Sequence, residues 1–312
     1  MLKSVERRAP AKVNLALHVV GRRADGYHLL DSIAVFADCA DVIAVEPAEE
    51  LSVAVSGPFA SHAPADRSDL AYRAAEAFCT HVGRAPALRI RVEKNIPAGA
   101  GLGGGSADAA AVLSALDDFY AAGVPADELS AIGLRLGADV PMCLAGHALR
   151  ARGVGEEILR IESWPPLPLV LVWPGRAVST AAVFSALDDL RSGQGAESSP
   201  LRGGRWLQGN HREAVGEGMP LREPPAAKTV AALAAWLAGC CNDLEASALR
   251  LAPEIGDVLA ALRTTPGCLL ARMSGSGSAC FGLFRETADA EAAAAQITAA
   301  RRDWWVRATM AH

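Results

Sequence analysis

No window of the 312-residue chain holds the roughly 18 uncharged apolar residues that a membrane-spanning helix needs. The amino-terminal run MLKSVERRAP has no apolar h-region, which sets a secretory leader aside. The seven cysteines (39, 79, 143, 240, 241, 268 and 280) show no CxxC spacing. An odd, scattered set in an apolar chain reads as reduced core residues of a cytoplasmic protein. Nor is there an excess of positive charge: 30 Lys and Arg stand against 35 Asp and Glu, a net charge of -5. That argues against a protein that coats nucleic acid, where a basic surface supplies most of the binding, and leaves room for a small anion held by a few local cations. Neither a membrane nor a nucleic acid is an expected partner.

Half of the residues are hydrophobic (51 %), ample for a buried core, and the length suggests two domains at roughly 150 residues each. Alternation in RRAPAKVNLALHVVG places Val13, Leu15 and Leu17 on one face of a strand. A turn at Asp25-Gly26 leads to a second strand, and ADVIAVEP and ELSVAVSG read as two more. Helical spacing in DLAYRAAEAFCTHVG is followed by the strictly alternating ALRIRVE, a half-exposed strand of an antiparallel sheet. A glycine loop, a helix from Ser106 to about Ala121 and a shorter helix in PADELSAIGLRLG complete an α+β domain, residues 1–163. Residues 164–312 open on the apolar strand PPLPLVLVWPG. Helices are expected in STAAVFSALDDL, TVAALAAWLAG, DLEASALRLAPEIGDVLAALRTTPG and ADAEAAAAQITAARR. A strand–turn–strand is expected in CLLARMSGSGSACFGLF. Residues 191–226, rich in Gly, Pro and charge, read as a long mobile loop.

The glycine loop is NIPAGAGLGGGSADAA. Pro97 and Ala98 lead into Gly99, Gly101, Gly103, Gly104 and Gly105, with Ala100 and Leu102 interposed, and Ser106 and Ala107 begin the following helix. Gly99, Gly101 and Gly104 satisfy G-x-G-x-x-G, but the strand before the loop alternates and Lys94–Pro97 separates it from the glycines. A dinucleotide loop instead follows directly on a buried apolar parallel strand. No lysine follows the glycines, so a Walker A loop is excluded. Two readings remain: a glycine turn that lets a helix pack close, and another kind of phosphate loop, in which backbone N–H groups and a helix N-terminus offer donors and partial positive charge to an anion. Ser106 has two readings, a helix cap or a ligand of phosphate or magnesium.

PAGAGLGGGSADAA (97–110) resembles the signature loop of the GHMP kinase superfamily, which includes galactokinase, homoserine kinase and mevalonate kinase. APAKVNLALHVVGRRADGYHLLDSI (9–33), GADVPMCLAG (137–146), PGRAVSTAAVF (174–184), NDLE (242–245) and MSGSGSACFGLF (273–284) extend the likeness over almost the whole chain in family order. The A-K-x-N-L and D-G-Y-H segments draw it toward the members that act on a cytidine diphosphate-linked methylerythritol. The resemblance implies an N-terminal domain like ribosomal protein S5, a ferredoxin-like C-terminal domain and a cleft between them. It also implies an ATP- and Mg²⁺-dependent small-molecule kinase, monomeric or homodimeric. In that frame Asp139 accepts or orients the proton of the attacking hydroxyl, and Lys12 points into the site beside it. Residues 97–107 hold ATP. Lys94 is a phosphate neighbour or a solvated lysine, and Asp108 complements the helix dipole or binds metal. Tyr27 and His28 supply a flat partner and a hydrogen-bonding edge for the base. Phe184 is the second slice of an aromatic sandwich or helix core. Asn14 hydrogen-bonds near the acceptor hydroxyl of the substrate or fixes Lys12, Ser179 and Thr180 contact the substrate, and MSGSGS forms a second glycine loop packed against the first. Two departures stand out: Ala107 replaces the second serine usual in the loop, and 191–226 is long for the family.

Overall fold

A computed structural model describes residues 4–64, 66–192 and 218–312. Two long strands organise the amino-terminal half: β1 (Val5–Arg22) and β2 (His28–Pro47) pair antiparallel through the glycine turn at Gly26. β1 covers one edge of β2. The other edge is divided among β4 (Leu88–Glu93), β5 (Leu149–Gly153) and, in the middle, β10 (Trp305–Ala311). β3 (Ser52–Ser56) lies parallel to β4, and β6 (Glu157–Arg160) closes a hairpin with β5. β7 (Leu167–Trp173) begins a second sheet in the order β10-β7-β9-β8, with β8 (Cys268–Met273) and β9 (Cys280–Phe284). The two sheets meet where Ala311 pairs with Ala37.

Helices α1 (Leu70–His81), α2 (Gly104–Tyr120), α3 (Ala126–Leu136) and α4 (Val140–Ala145) pack on the first half. A run of small buried side chains, Ala107 and Ala109–Ala111, lets α2 lie close against β1 and α1. The second half carries α5 (Thr180–Arg191), α6 (Val230–Leu237), α7 (Glu245–Leu251), α8 (Glu254–Thr264) and α9 (Thr287–Ala300). Among the described residues no helix is long and apolar enough to cross a membrane, and all seven cysteines are free.

Several expectations change. ADVIAVEP is the far half of β2, because its apolar positions continue the same pairing with β1. β4 is antiparallel to β2 as expected but parallel to β3. The helical stretch after Asn242 breaks in two at Ala252-Pro253, where proline cannot donate its backbone nitrogen. The β5–β6 hairpin and β10 were not anticipated: both are short and carry arginines that read as surface. Residues 193–217 of the expected mobile loop lie outside the described residues. The part that follows is tied down. Arg150 donates to both oxygens of Asp31 at 2.7 Å, and the same pair grips Leu221: its N–H donates to Asp31 at 2.9 Å and its carbonyl accepts from Arg150 at 2.6 Å. Glu223 adds a third acceptor for Arg150 at 2.9 Å.

Arg150 and Asp31 are each only 2 % exposed, so removing one partner strands a buried charge. Arg150→Met is expected to lower the unfolding free energy by about 3–5 kcal/mol, as read by urea denaturation; a loss below about 1 kcal/mol would show that Asp31 is solvated without it.

Candidate active site

β1 runs along β2 with only one edge paired, and its other edge must find partners for its buried N–H and C=O groups. Loops from both halves supply them. Lys12 N donates to Leu102 O at 2.9 Å, and Asn14 N donates to Ser274 Oγ at 3.1 Å. Leu17 N donates to Cys241 O at 3.0 Å, and Val19 N donates to Asp243 Oδ2 at 2.8 Å. The β1–β2 register slips between Pro10 and Lys12 and again between Asn14 and Ala16. Such irregularities re-aim side chains, and here they bracket the two candidate site residues of β1.

The glycine loop crosses that edge. Gly99, Gly101 and Gly103 take φ of +68°, +78° and +68°, the left-handed region, while Ala100 and Leu102 between them are buried. The alternation of glycine with apolar residue is therefore structural: one set permits the turn and the other anchors it. A Cβ on Gly103 would stand 3.2 Å from the Lys12 Cβ, and one on Gly101 would stand 2.5 Å from the Ser274 carbonyl oxygen. The second glycine loop packs on the first as expected, with Ser274 Oγ donating to Gly101 O at 3.1 Å and Ala279 N to Ala100 O at 2.9 Å. Asn242 supports it from below through bonds to Met273 O (2.9 Å) and Gly275 O (2.8 Å).

α2 begins at Gly104, two residues earlier than expected, with Gly103 in the left-handed conformation at the N-cap and no side-chain cap. Ser106 is thus inside the first turn. Its hydroxyl makes no hydrogen bond among the described residues, and the capping reading is removed. The first N–H groups of the helix have no partner within it, which suits an anion.

Lys12 Nζ lies 2.8 Å from Asp139 Oδ2, although the two are far apart in the chain. Asp139 occupies the N-cap position of α4 without capping it, since its side chain turns to Lys12 instead. The lysine is 5 % exposed and the carboxylate 41 %, so a buried cation pins a carboxylate that a substrate can reach. Asn14 Nδ2 donates to Ser32 Oγ at 2.8 Å, and its Oδ1 is buried without a partner.

Lys94 is placed elsewhere. Its ammonium is buried between Asp41 and Asp108, within 2.6 Å of the latter, so it offers no direct contact to a nucleotide phosphate. Asp41 also accepts the N–H groups of Asn95 (2.5 Å) and Ile96 (2.8 Å), fixing the lead-in to the glycine loop. Burial pulls the Lys94 ammonium pKa down, but Asp108 and Asp41 outweigh it and the net shift is upward. Burial pushes Asp108 up to about 7, against the attraction of Lys94 and with the repulsion of Asp41. Two carboxylates sharing one ammonium leave the cluster short of positive charge, and a proton on Asp108 relieves it.

At the far end of β1, His28 stacks on Phe184 with ring centroids 4.7 Å apart and planes 22° apart. No base fits between rings in direct contact, so these two cannot be the slices of one sandwich. Tyr27 is 63 % exposed, and the Arg23 guanidinium lies 5.6 Å from its ring centroid. Ser179 caps α5, and Thr180 Oγ1 lies 2.8 Å from Ser276 Oγ of the second glycine loop. Sequence reasoning missed Asp188, which lies 2.8 Å from His28 Nε2, and Asp41. Asp188 follows Phe184 by four residues on one helix face, a spacing that could have flagged it.

Two family descriptions match the chain: GHMP kinases N terminal domain over residues 69–147, and GHMP kinases C terminal over 225–303. The chain is 46 % identical to the 4-diphosphocytidyl-2-C-methyl-D-erythritol kinase of Cereibacter sphaeroides, over 96 % of each protein. The chain belongs to the 4-diphosphocytidyl-2-C-methyl-D-erythritol kinase family of the GHMP kinases. It is also similar to a crystal structure of 4-(cytidine 5'-diphospho)-2C-methyl-D-erythritol kinase, with 38 % identity, a TM-score of 0.74 and coverage of 98 % of this chain and 99 % of that one. A homoserine kinase from Cytophaga hutchinsonii shares the fold at a TM-score of 0.69 and 15 % identity, covering 99 % of this chain and 95 % of its own.

Two outcomes are expected of this kinase. Gly101→Ala forces a left-handed φ on alanine and drives its Cβ into Ser274 O, and should cost about 1–3 kcal/mol of stability together with most of the activity; a fully active, equally stable variant would show that the two glycine loops are not in register. The raised pKa of Asp108 means the folded state holds a proton that the unfolded state releases near the ordinary 3.8, so its contribution to stability falls as pH rises from about 4 to about 7. Asp108→Asn lacks that dependence, and its unfolding free energy relative to the parent should rise from pH 5 to pH 8 in urea titrations; a constant difference would place Asp108 in its charged form throughout.

Proposed function

We propose that the enzyme transfers the γ-phosphoryl group of ATP to the 2-hydroxyl of 4-diphosphocytidyl-2-C-methyl-D-erythritol, giving the 2-phosphate and ADP in the methylerythritol phosphate route to isoprenoids. The observation that carries the chemistry is the Lys12–Asp139 contact beside the glycine loop. The acceptor is argued from the DGYH segment, from His28 and Phe184 at one end of the site, and from the relatives' names. The hydroxyl oxygen bonds to the γ-phosphorus as the bridging bond to ADP breaks, and the hydroxyl proton passes to Asp139. Lys12 orients that carboxylate and presents positive charge where charge develops. No phosphorylated enzyme is needed.

Residues 97–107 cradle the ATP phosphates. The fit rests on the bare backbone at Gly103–Gly105 and the unpaired first turn of α2. Lys94 supports the loop from beneath. Among the described residues no group of three His, Cys, Asp or Glu side chains could hold a metal ion. Mg²⁺ would therefore be held chiefly by the nucleotide, neutralising its phosphates, with the Ser106 hydroxyl as the protein oxygen nearest to hand in the sequence of the loop. Tyr27 and Phe184 supply flat apolar surface to the cytosine and His28 a hydrogen-bonding edge. Asn14, Ser179 and Thr180 line the acceptor. We place the domain division at 163/164, between β6 and β7, where the chain passes from one sheet to the other, and the enzyme in the cytoplasm as a monomer or homodimer.

The test is ATP consumption with the cytidylated alcohol, mevalonate and homoserine in parallel. Only the first should turn over; turnover of mevalonate alone would overturn the acceptor, and turnover of none would favour a silent nucleotide-binding protein. Asp139→Asn and Lys12→Met should each lower kcat by about 10²–10⁴-fold while keeping the parent's melting temperature, and near-normal turnover in either would remove that residue from the mechanism.

A further inference from the structure

The proposed cytidine end holds a contact that the phosphoryl chemistry does not use. His28 is fixed twice over. Its ring plane is set by the stack on Phe184, and its Nε2 lies 2.8 Å from Asp188 Oδ1. A carboxylate oxygen can only accept, so the hydrogen of this bond sits on Nε2. In the neutral ring that leaves Nδ1 with its lone pair, and Nδ1 makes no hydrogen bond among the described residues. The carboxylate is itself held, since its second oxygen is 3.3 Å from Arg22 Nη1. The His28 side chain is 10 % exposed and Asp188 34 %, so the ring is mostly withdrawn from water while its partner stands at the surface of α5.

We propose that Asp188 is a positioning residue that locks His28 with Nδ1 as an acceptor, so that the base end of the site selects an exocyclic amino group over a carbonyl, that is, cytosine over uracil. Cytosine presents an N–H donor where uracil presents an oxygen, and an acceptor facing that oxygen would leave two lone pairs opposed. A site built to bond a donor rejects the analogue lacking it through the unpaired groups left behind. The inference rests on the cytidylated acceptor proposed above. It adds that selectivity for the base resides in a tautomer, set by a residue that does not touch the base.

The decisive measurement is kcat/KM for the cytidine diphosphate-linked alcohol and for its uridine diphosphate-linked analogue. Asp188→Lys replaces the acceptor by a donor, which drives the hydrogen to Nδ1; the cytidine-over-uridine ratio should fall by about tenfold or more. Asp188→Ala should lower it by less, and Asp188→Glu, which keeps an acceptor, should restore it. A merely structural role for Asp188 would lower both substrates together and leave the ratio unchanged, and that result would overturn the proposal. Nitrogen-15 spectra of the histidines, with His28 assigned through His28→Gln, should show the neutral ring carrying its hydrogen on Nε2; a neutral ring with its hydrogen on Nδ1 in the parent would overturn it as well. If the parent turns over neither nucleotide-linked alcohol, the proposed acceptor fails instead, and the spectra still decide the tautomer.

Discussion

The unpaired edge of β1 is the constraint on which the site depends. A buried strand cannot leave its N–H and C=O groups without partners, and β2 satisfies only one side of β1. The other side takes Leu102 from the first glycine loop, Ser274 from the second, and the segment from Cys241 to Asp243. These contacts bring loops from the two halves of the chain onto one line. Lys12 and Asn14 lie on that line, between two slips of register. Lys12 and the two glycine loops are therefore placed together by one backbone requirement.

Charge is distributed by burial. The Lys12–Asp139 pair couples a withdrawn cation to a reachable carboxylate, the arrangement a proton acceptor needs. Lys94, Asp41 and Asp108 lie wholly inside and hold the loop by its base. Arg150 and Asp31 do the same for the segment around Leu221. Such pairs cost desolvation and repay it in definite geometry when every lone pair finds a donor. Asp108 keeps one oxygen without a partner and carries a raised pKa, the mark of a cluster with one carboxylate too many.

Much of the fold was legible because periodicity is local. The alternation of β4, the helical spacing of α1 and the strand–turn–strand at 268–284 appear as read, whereas β1 is buried on both faces and, past its register slip at Asn14–Ala16, Leu17 joins a different core cluster from Val13 and Leu15. The β5–β6 hairpin was illegible because Arg150 looks like a surface residue until Asp31, 119 positions away, is seen to bury it. The start of α2 shifted from Ser106 to Gly103–Gly104 because a left-handed glycine ended the loop before serine could cap the helix. In the site, Lys12 and Asp139 were named from resemblance, and their contact came from packing. Lys94 was misplaced, since a lysine ahead of a phosphate loop looks the same in sequence whether it faces the ligand or two carboxylates.

The sequence by itself determined the glycine loop and the family. Left-handed φ and close backbone approach demand glycine at set positions, and that demand is written in the chain one residue at a time. Tertiary structure alone decided which charges act on one another: Lys12 with Asp139, Lys94 with Asp41 and Asp108, His28 with Asp188. The work of an ionisable group depends on its distance to a partner and on the water excluded between them. Neither quantity has a local signature, so both appear only once the chain has closed on itself.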